Sequence, residues 1–164
     1  MSRTTPSLRR LWAPWRSAFL SQPPSRGCIF CAAKRSRRQD RARHVVTRGG
    51  HAFVLLNRFP YNNGHVMVAP YRHVGRIERL RPEEWTEMLT LSQALVRTMR
   101  RRLRPHGFNL GVNLGRTAGA GIPGHLHLHV VPRWNGDTNF MPLLAGAKVV
   151  SQSLDELYDL LTSR

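Results

Sequence analysis

The stretch His125-Leu126-His127-Leu128-His129-Val130-Val131 is the part of the sequence from which the fold can be derived. Its three histidines alternate with apolar residues, and successive side chains of a β-strand point to opposite faces of a sheet. The pattern predicts a strand over residues 125–131 with the imidazoles on one face and the apolar side chains in a core. One histidine alone is usually structural, but three on one face beside a glycine-rich loop (115–124) predict a functional site.

The spacing within this strand limits how the three histidines can act together. Neighbouring histidines on one face lie roughly 7 Å apart, and the outer two lie about 13 Å apart. Because Zn–N bonds are about 2 Å long, two neighbouring imidazoles could bind one zinc ion but all three could not. We therefore expect the three histidines to have different tasks.

A second motif, Cys28-Ile29-Phe30-Cys31, contains the only two cysteines of the chain. Its spacing fits half of a zinc site, a dithiol redox pair or, less well, a disulfide. A thioredoxin-like redox pair would be expected near a βαβ pattern, which is not evident here. Zinc binding is the favoured interpretation, and histidines would then supply the remaining ligands.

Strand-forming segments lie on either side of a long helical segment. Residues 52–56 and 65–69 have strand composition and are separated by the turn residues 60–64. Residues 108–114 predict another strand, which leads into the glycine-rich loop.

Two helices complete the prediction. Pro82, followed by two glutamates, opens an amphipathic helix that extends to about Leu103. The capping box Ser153-Leu154-Asp155-Glu156 opens a short C-terminal helix. Strands, helix, strands and helix in this order predict an α+β fold with an antiparallel sheet.

The chain has 164 residues and a formal net charge of +17, from 26 Lys+Arg against 9 Asp+Glu. The length supports a single domain, and no apolar run approaches the ~20 residues that span a bilayer. We expect residues 1–27 to form a basic, proline-containing arm, residues 34–43 a basic loop open to disorder, and residues 28–164 one domain. A transit peptide is a weaker interpretation of the arm, since Trp12 and Trp15 are more typical of residues anchored to a fold.

The motifs identify the chain as similar to the histidine triad (HIT) superfamily of nucleotide hydrolases and transferases. It most resembles the bacterial branch related to diadenosine tetraphosphate phosphorylases and hydrolases. The resemblance is carried in order by LWAPWR (11–16), CIFC (28–31), LLNRFPYNNGHVMVAPYRH (55–73), GFNLGVNLG (107–115) and HLHLHVVPRWNGDTNFMP (125–142). It implies a HIT-like antiparallel sheet of about five strands packed with one long and one short helix, and it implies a homodimer.

The resemblance also implies roles for individual histidines. His127, the middle histidine, would attack the α-phosphate, which agrees with the nucleophilicity of a neutral imidazole near pH 7. His129 would hydrogen-bond the phosphoryl oxygens or the leaving group, and His65 would lie beside the phosphates. In zinc-containing members the metal ligands correspond to Cys28, Cys31, His73 and His125, a closed tetrahedral set expected of structural zinc.

The resemblance further implies a nucleotide site with two departures from the family pattern. The implied contacts are Phe53, Leu55 and Asn57 for base and ribose, and Asn113, Gly119, Ala120 and His129 for phosphate. Asn57 stands where many members have an aspartate that binds the ribose, and core packing is an equal interpretation of Phe53 and Leu55. Small residues at 118–124 replace a Gln-Ser pair, which would leave free backbone N–H groups for inorganic phosphate and favour phosphorolysis.

We expect an enzyme that cleaves dinucleoside polyphosphates through a His127-nucleotidyl intermediate, located in the cytoplasm. The alternatives are a nucleoside phosphoramidase of the same superfamily and a zinc-stabilised basic nucleic-acid-binding protein. The second is disfavoured because no base-reading motif is present and the arginines are not interleaved with aromatic residues. Near the predicted site, the charge would come from Arg72, Arg116 and Arg133.

Overall fold

A five-stranded antiparallel sheet forms the centre of the protein in the computed structural model. The structure describes residues 27–137 and 151–163, and these belong to one compact unit. The spatial order of the strands is β1-β2-β3-β5-β4. The strands are β1 (Val45–Arg48), β2 (Ala52–Leu56), β3 (Val66–Pro70), β4 (Gly107–Val112) and β5 (Leu128–Arg133); the α-helices are α1 (Ile29–Ala33), α2 (Pro82–Arg102) and α3 (Leu154–Thr162).

The two faces of the sheet are covered by different elements. Val54, Val68 and Val130 lie on the face that packs against α2 and α3 and belong to the larger core cluster. Phe53 and Leu55, which alternate with Val54 along β2, lie in a second cluster on the other face together with Phe30 of α1. Both faces are therefore buried around β2 and β3, which explains why every residue of these strands is buried.

The helices α2 and α3 begin where the sequence predicts. At the start of α2, the carboxylate of Glu84 accepts the backbone N–H of Arg81 at 2.9 Å. At the start of α3, the Ser153 hydroxyl accepts the backbone N–H of Glu156 at 3.2 Å. The predicted α+β fold with a sheet of about five strands, one long helix and one short C-terminal helix is confirmed.

Both predicted ends of the triad strand were wrong, and two elements were not predicted. The triad strand begins at Leu128, not at residue 125, because the Leu126 N–H donates to the carbonyl of Val74 rather than to a neighbouring strand. It also continues through Pro132 to Arg133. The edge strand β1 and the short helix α1 had no clear sequence signal, since only Val45 of β1 is fully buried.

The basic segment 34–43, expected to be a loop open to disorder, contains regular structure. It contains a 3-10 turn at Arg37–Gln39, and Asp40 accepts hydrogen bonds from the Arg48 guanidinium on β1. The prediction of an N-terminal arm falls on residues outside the described ones, apart from Gly27. No helix among the described residues is both long and apolar enough to cross a bilayer.

Candidate active site and metal cluster

All three triad histidines are buried on the face of the sheet that carries Phe30. The rings of His125 and His127 both lie 4.9 Å from the Phe30 ring, and those of His127 and His129 lie 4.8 Å apart. The intervening Leu126, Leu128 and Val130 belong to the core on the opposite face. The predicted division of the stretch into a histidine face and an apolar face is thus present, although only its second half is strand.

His65 and His129 form a hydrogen-bonded pair across β3 and β5. The backbone N–H of Tyr61 lies 3.0 Å from Nδ1 of His65 and can only donate, so this nitrogen accepts. A neutral His65 then carries its proton on Nε2, which lies 2.9 Å from Nδ1 of His129. Because His129 accepts at Nδ1, its own proton is on Nε2, and the ring can donate from that nitrogen.

His127 is held in the opposite tautomer. Its Nδ1 lies 2.8 Å from the backbone carbonyl of His125, which can only accept, so Nδ1 carries the proton and Nε2 the lone pair. Burial lowers the pKa of His127 below its usual value, although the hydrogen bond to the carbonyl partly offsets this. The imidazole is therefore neutral at pH 7, which is the state required of a nucleophile.

The four residues predicted as metal ligands form one cluster. Cys28 Sγ lies 3.3 Å from Nδ1 of His125, Cys31 Sγ lies 3.3 Å from Nδ1 of His73, and all four donor atoms lie within 4.8 Å of one another. Nε2 of His125 donates to the carbonyl of Pro70 at 2.9 Å, which leaves Nδ1 as the acceptor nitrogen beside the sulfurs. Burial lowers the pKa of His125 to about 4, so this nitrogen is unprotonated at neutral pH.

These four side chains fit a tetrahedral metal ion. Bonds of about 2.0–2.3 Å to nitrogen and sulfur place neighbouring donors roughly 3.3–3.8 Å apart. The cysteine–histidine distances given above already lie near this range, and the carbonyl of Pro70 orients one imidazole as metal-bound histidines require. The cluster could therefore bind a metal ion.

The side chains predicted to contact base and ribose lie in or near the packed core. Phe53 and Leu55 are buried in the same cluster as Phe30, and the Phe53 ring stacks on Tyr71 with centroids 5.2 Å apart. Asn57 is half-buried, with Nδ2 lying 3.3 Å from Nδ1 of His65. The structure therefore brings Asn57 next to the His65–His129 pair and places the two apolar residues in the layer beneath this face.

The glycine-rich loop closes on itself through its backbone. The N–H of Gly119 donates to the carbonyl of Arg116 at 2.9 Å, and the N–H of Ala120 donates to the carbonyl of Gly115 at 3.1 Å. The side chain of Asn113 reaches the carbonyl of Gly119 at 3.5 Å. The expectation of free amides is thus wrong for Gly119 and Ala120, because the turn itself uses both donors.

Two of the three arginines predicted to supply charge near the site are neutralised by carboxylates. The guanidinium of Arg72 makes two hydrogen bonds to buried Glu84, at 2.9 and 2.7 Å. Arg133 likewise binds the carboxylate of Asp137 at 2.6 and 2.9 Å. Arg116 is exposed and has no salt bridge with a described residue, so it is the available cation of the three.

Sequence reasoning missed Tyr61, Phe30 and Pro70, which orient or pack against the histidines. Phe30 lay inside the cysteine motif, but nothing local indicated that its ring would contact the triad. Pro70 acts through its backbone carbonyl, which leaves no side-chain signature in a sequence. Tyr61 contributes its backbone N–H and also a ring that packs against His65 and His129, with centroids 4.6 and 5.6 Å away.

Comparison with known proteins places the chain among relatives of one family. The HIT domain family matches residues 38–136. AP-4-A phosphorylase of Mycobacterium tuberculosis is 40% identical over 163 residues, which cover 95% of this chain and 84% of that protein. A 16.1 kDa HIT-like protein of Mycoplasma pneumoniae is 30% identical over 82% of this chain and 90% of its own length.

Solved structures give the same result. A Zn-bound histidine triad family protein from Mycobacterium smegmatis superposes with a TM-score of 0.64 and 26% identity, covering 83% of this chain and 91% of that one. Diadenosine triphosphate hydrolase from Plasmodium falciparum, at 18% identity and a TM-score of 0.59 over 73% of this chain and 74% of that one, shares the fold. The chain therefore belongs to the HIT domain family.

Proposed function

We propose that the protein is a nucleotidyl transferase or hydrolase that cleaves dinucleoside polyphosphates, with diadenosine tetraphosphate as the first candidate substrate. The observation that carries the proposal is the tautomer of His127, whose Nδ1–H is held by the carbonyl of His125 so that the Nε2 lone pair is available. The 40% identity to a protein named AP-4-A phosphorylase supports this choice of substrate.

The reaction proceeds in two displacements at the α-phosphorus. Nε2 of His127 forms a P–N bond as the P–O bond to the departing nucleoside polyphosphate breaks, which gives a nucleotidyl-imidazole intermediate. Inorganic phosphate or water then forms a new P–O bond to the same phosphorus, and the P–N bond breaks to release the nucleotide and regenerate His127. With phosphate as the acceptor, diadenosine tetraphosphate yields ADP and ATP.

His129 stabilises the phosphoryl group in both steps. The His65 Nε2–H donates to Nδ1 of His129 and thereby sets the tautomer of His129 that carries its proton on Nε2, the group that would donate to phosphoryl oxygens or to the leaving group. Charge that develops on the phosphoryl oxygens is met by a buried donor whose orientation is set before the substrate binds.

The nucleotide contacts that we propose follow the family pattern. Phe53, Leu55 and Asn57 serve the base and ribose, and Asn113, Gly119 and Ala120 serve the phosphates. Support comes from the position of Asn57 beside His65 and from the bond that ties Asn113 to the glycine-rich loop. Since Gly119 and Ala120 use their N–H groups within the turn, they would shape the pocket rather than donate to inorganic phosphate.

The metal cluster is proposed to hold structural zinc through Cys28, Cys31, His73 and His125. Four protein ligands close a tetrahedral site, so the ion would contribute folding energy rather than a bound nucleophile. It would join α1 to the segment that carries His127 two residues later. A cytoplasmic location is consistent with two cysteines that must stay reduced to bind metal as thiolates.

A homodimer is also proposed, with β4 as the contact. The helix α2 is not chosen as the contact because it buries its apolar face in the core through Met88, Leu95 and Met99. In contrast, β4 lies at the edge of the sheet and exposes 49% of Leu110. An edge strand with an exposed apolar side chain can pair with a second copy.

Product analysis tests the proposed reaction. Diadenosine tetraphosphate is incubated with the protein, with and without inorganic phosphate, and the products are separated by chromatography. Equal ADP and ATP with phosphate indicate phosphorolysis, and AMP with ATP indicates hydrolysis. His127→Ala should abolish either activity, whereas His51→Ala, at an exposed histidine of the β1–β2 turn, serves as the matched control. Full turnover by His127→Ala would refute the proposal.

A further inference from the structure

A cleft of about 420 Å³ lies beside the triad segment, lined by residues that no step of the reaction above uses. This volume is within the range of about 300–1,000 Å³ typical of small-molecule sites. One wall consists of residues that come after β3 in the chain. The other wall consists of residues that come after β4 together with residues just before His125. The lining residues are Gly75, Arg76, Ile77, Glu78, Leu114, Gly115, Pro123 and Gly124.

The two walls are joined directly through the backbone. The N–H of Leu126 donates to the carbonyl of Val74 at 2.7 Å. A Cβ at Gly75 would lie 2.4 Å from the carbonyl oxygen of Pro123, so only glycine permits this approach. The cleft is therefore a built feature of the fold, continuous with the segment that carries the triad.

The chemistry of the lining suits a nucleoside attached to a phosphate chain. Ile77 and Leu114 are 38% and 47% exposed, and such aliphatic side chains offer apolar surface to a purine ring. Arg76 provides a guanidinium for phosphate, and the carboxylate of Glu78 can accept hydrogen bonds from ribose hydroxyls or from an amino group.

The cleft is also separate from the residues assigned to the first nucleoside. Neither Phe53 nor Leu55 is among the lining residues of the cleft, and both side chains are buried in the core. The cleft is nevertheless tied to the segment that carries the proposed nucleophile, since the N–H of Leu126, the residue before His127, donates to the carbonyl of Val74, the residue before the lining Gly75. A substrate bound at His127 could thus place a second group in the cleft.

We propose that this cleft binds the second nucleoside of a dinucleoside polyphosphate, the one that departs with the leaving group. This inference rests on the proposed function, and it makes the cleft the site that determines the specificity of the proposed reaction. Binding of the second nucleoside would select dinucleotides over mononucleotides with the same phosphate chain, because only the former fill the cleft.

Two ligands that differ by one adenosine test this inference. Diadenosine tetraphosphate and adenosine 5′-tetraphosphate are titrated by calorimetry against protein carrying His127→Ala, so that neither is cleaved. We expect tighter binding of the dinucleotide, and we expect Ile77→Ala and Leu114→Ala each to reduce this preference by about tenfold, equivalent to about 1.4 kcal/mol. Leu89→Ala, at an exposed leucine of α2 outside the cleft, is the control.

The outcomes separate this inference from the proposed function. Equal weakening of both ligands by the cleft variants, or no change in the preference, would overturn the second-nucleoside site. Failure of the unsubstituted protein to cleave diadenosine tetraphosphate would refute the proposed reaction instead, and the binding comparison would still decide the role of the cleft.

Discussion

Backbone carbonyls determine which nitrogen His125 and His127 present. His125 donates from Nε2 to the carbonyl of Pro70 and presents Nδ1 to the cysteines. His127 donates from Nδ1 to the carbonyl of His125 and presents Nε2. Two identical side chains two residues apart are thus prepared for different chemistry, one as a metal ligand and one as a nucleophile.

At the same scale, His65 is predicted to act as a positioning residue for His129. His65→Ala should lower kcat for the dinucleotide by roughly 10²-fold, because His129 loses the donor that holds its proton on Nε2. The pH profile of kcat should also change, since the tautomer of His129 is no longer specified. Steady-state kinetics and thermal unfolding separate this effect from misfolding.

The exposed His51→Ala variant is again the control for this prediction, and it should retain kcat and the pH profile. A His65→Ala protein that lowers only the melting temperature, with kcat and its pH profile intact, would contradict a positioning role.

Among the elements, Glu87 of α2 binds the β1–β2 turn to the helix. Its carboxylate accepts the backbone N–H groups of Gly50 at 2.8 Å, of Ala52 at 2.6 Å, and of His51. Burial tends to raise the pKa of Glu87, but the three donors together lower it below the usual value. The carboxylate thus satisfies consecutive amides that the hairpin leaves unpaired.

Glu87→Gln is predicted to lower the free energy of unfolding at pH 7 by roughly 1–2 kcal/mol, since an amide cannot accept from all three donors. Because the folded state lowers this pKa, the stabilisation is complete above the unfolded value of about 4.3 and is lost as the pH falls through the folded value. The difference between wild type and variant should therefore shrink on acidification. Urea unfolding at pH 7 and at about pH 3 measures it.

Glu83→Gln provides the matched control one helical turn earlier, because Glu83 is exposed. It should change stability by less than about 0.5 kcal/mol. If both variants lose the same free energy of unfolding, the effect comes from the charge of the helix and not from the hydrogen bonds to the β1–β2 turn.

For the whole molecule, four arginines are paired one-to-one with carboxylates, and these pairs leave the net charge of +17 to the other cations. Asp40, Glu84, Asp137 and Asp159 each bind an arginine, and two of those arginines were expected to face the substrate. Most of the acidic groups in these pairs therefore join elements together. The remaining cations can attract a polyanionic substrate over distances up to about the Debye length.

Metal removal should affect the stability of the whole molecule, since the cluster joins α1 to the triad segment. Elemental analysis should find one zinc ion per chain. Chelation, or Cys31→Ala, should lower the Tm by roughly 4–8 °C, which corresponds to a loss of about 2 kcal/mol in a domain of this size. A protein that carries no metal and melts unchanged in chelator would contradict the proposed zinc site.

Oligomeric state is the second prediction at this scale. Light scattering should give the mass of a dimer for the wild type and of a monomer for Leu110→Asp, because a carboxylate on the edge strand opposes pairing. Leu89→Asp places the same charge at the exposed leucine of α2 and should leave the dimer intact. A dimer that survives Leu110→Asp would exclude β4 as the contact.

Local patterns in the sequence determined the element types and the two faces of the triad segment. Alternation placed Leu126, Leu128 and Val130 in the core, and the capping box at Ser153 defined the start of α3. These features depend on residues a few positions apart, whose relation is set by strand and helix geometry. The spacing of the three histidines predicted that they have different tasks, and the resemblance to the HIT superfamily implied that His125 is the metal-binding one.

Only the tertiary structure decided how these parts act together. Cys28 and His125 are 97 residues apart in sequence, and His65 and His129 are 64 apart, yet each pair is in contact. Tautomers, ion pairs of arginines and the cleft beside Gly75 depend on backbone groups and distant side chains brought together by packing. The sequence by itself therefore determined which residues could react, and the packing of distant segments decided which nitrogen each histidine presents and what surrounds it.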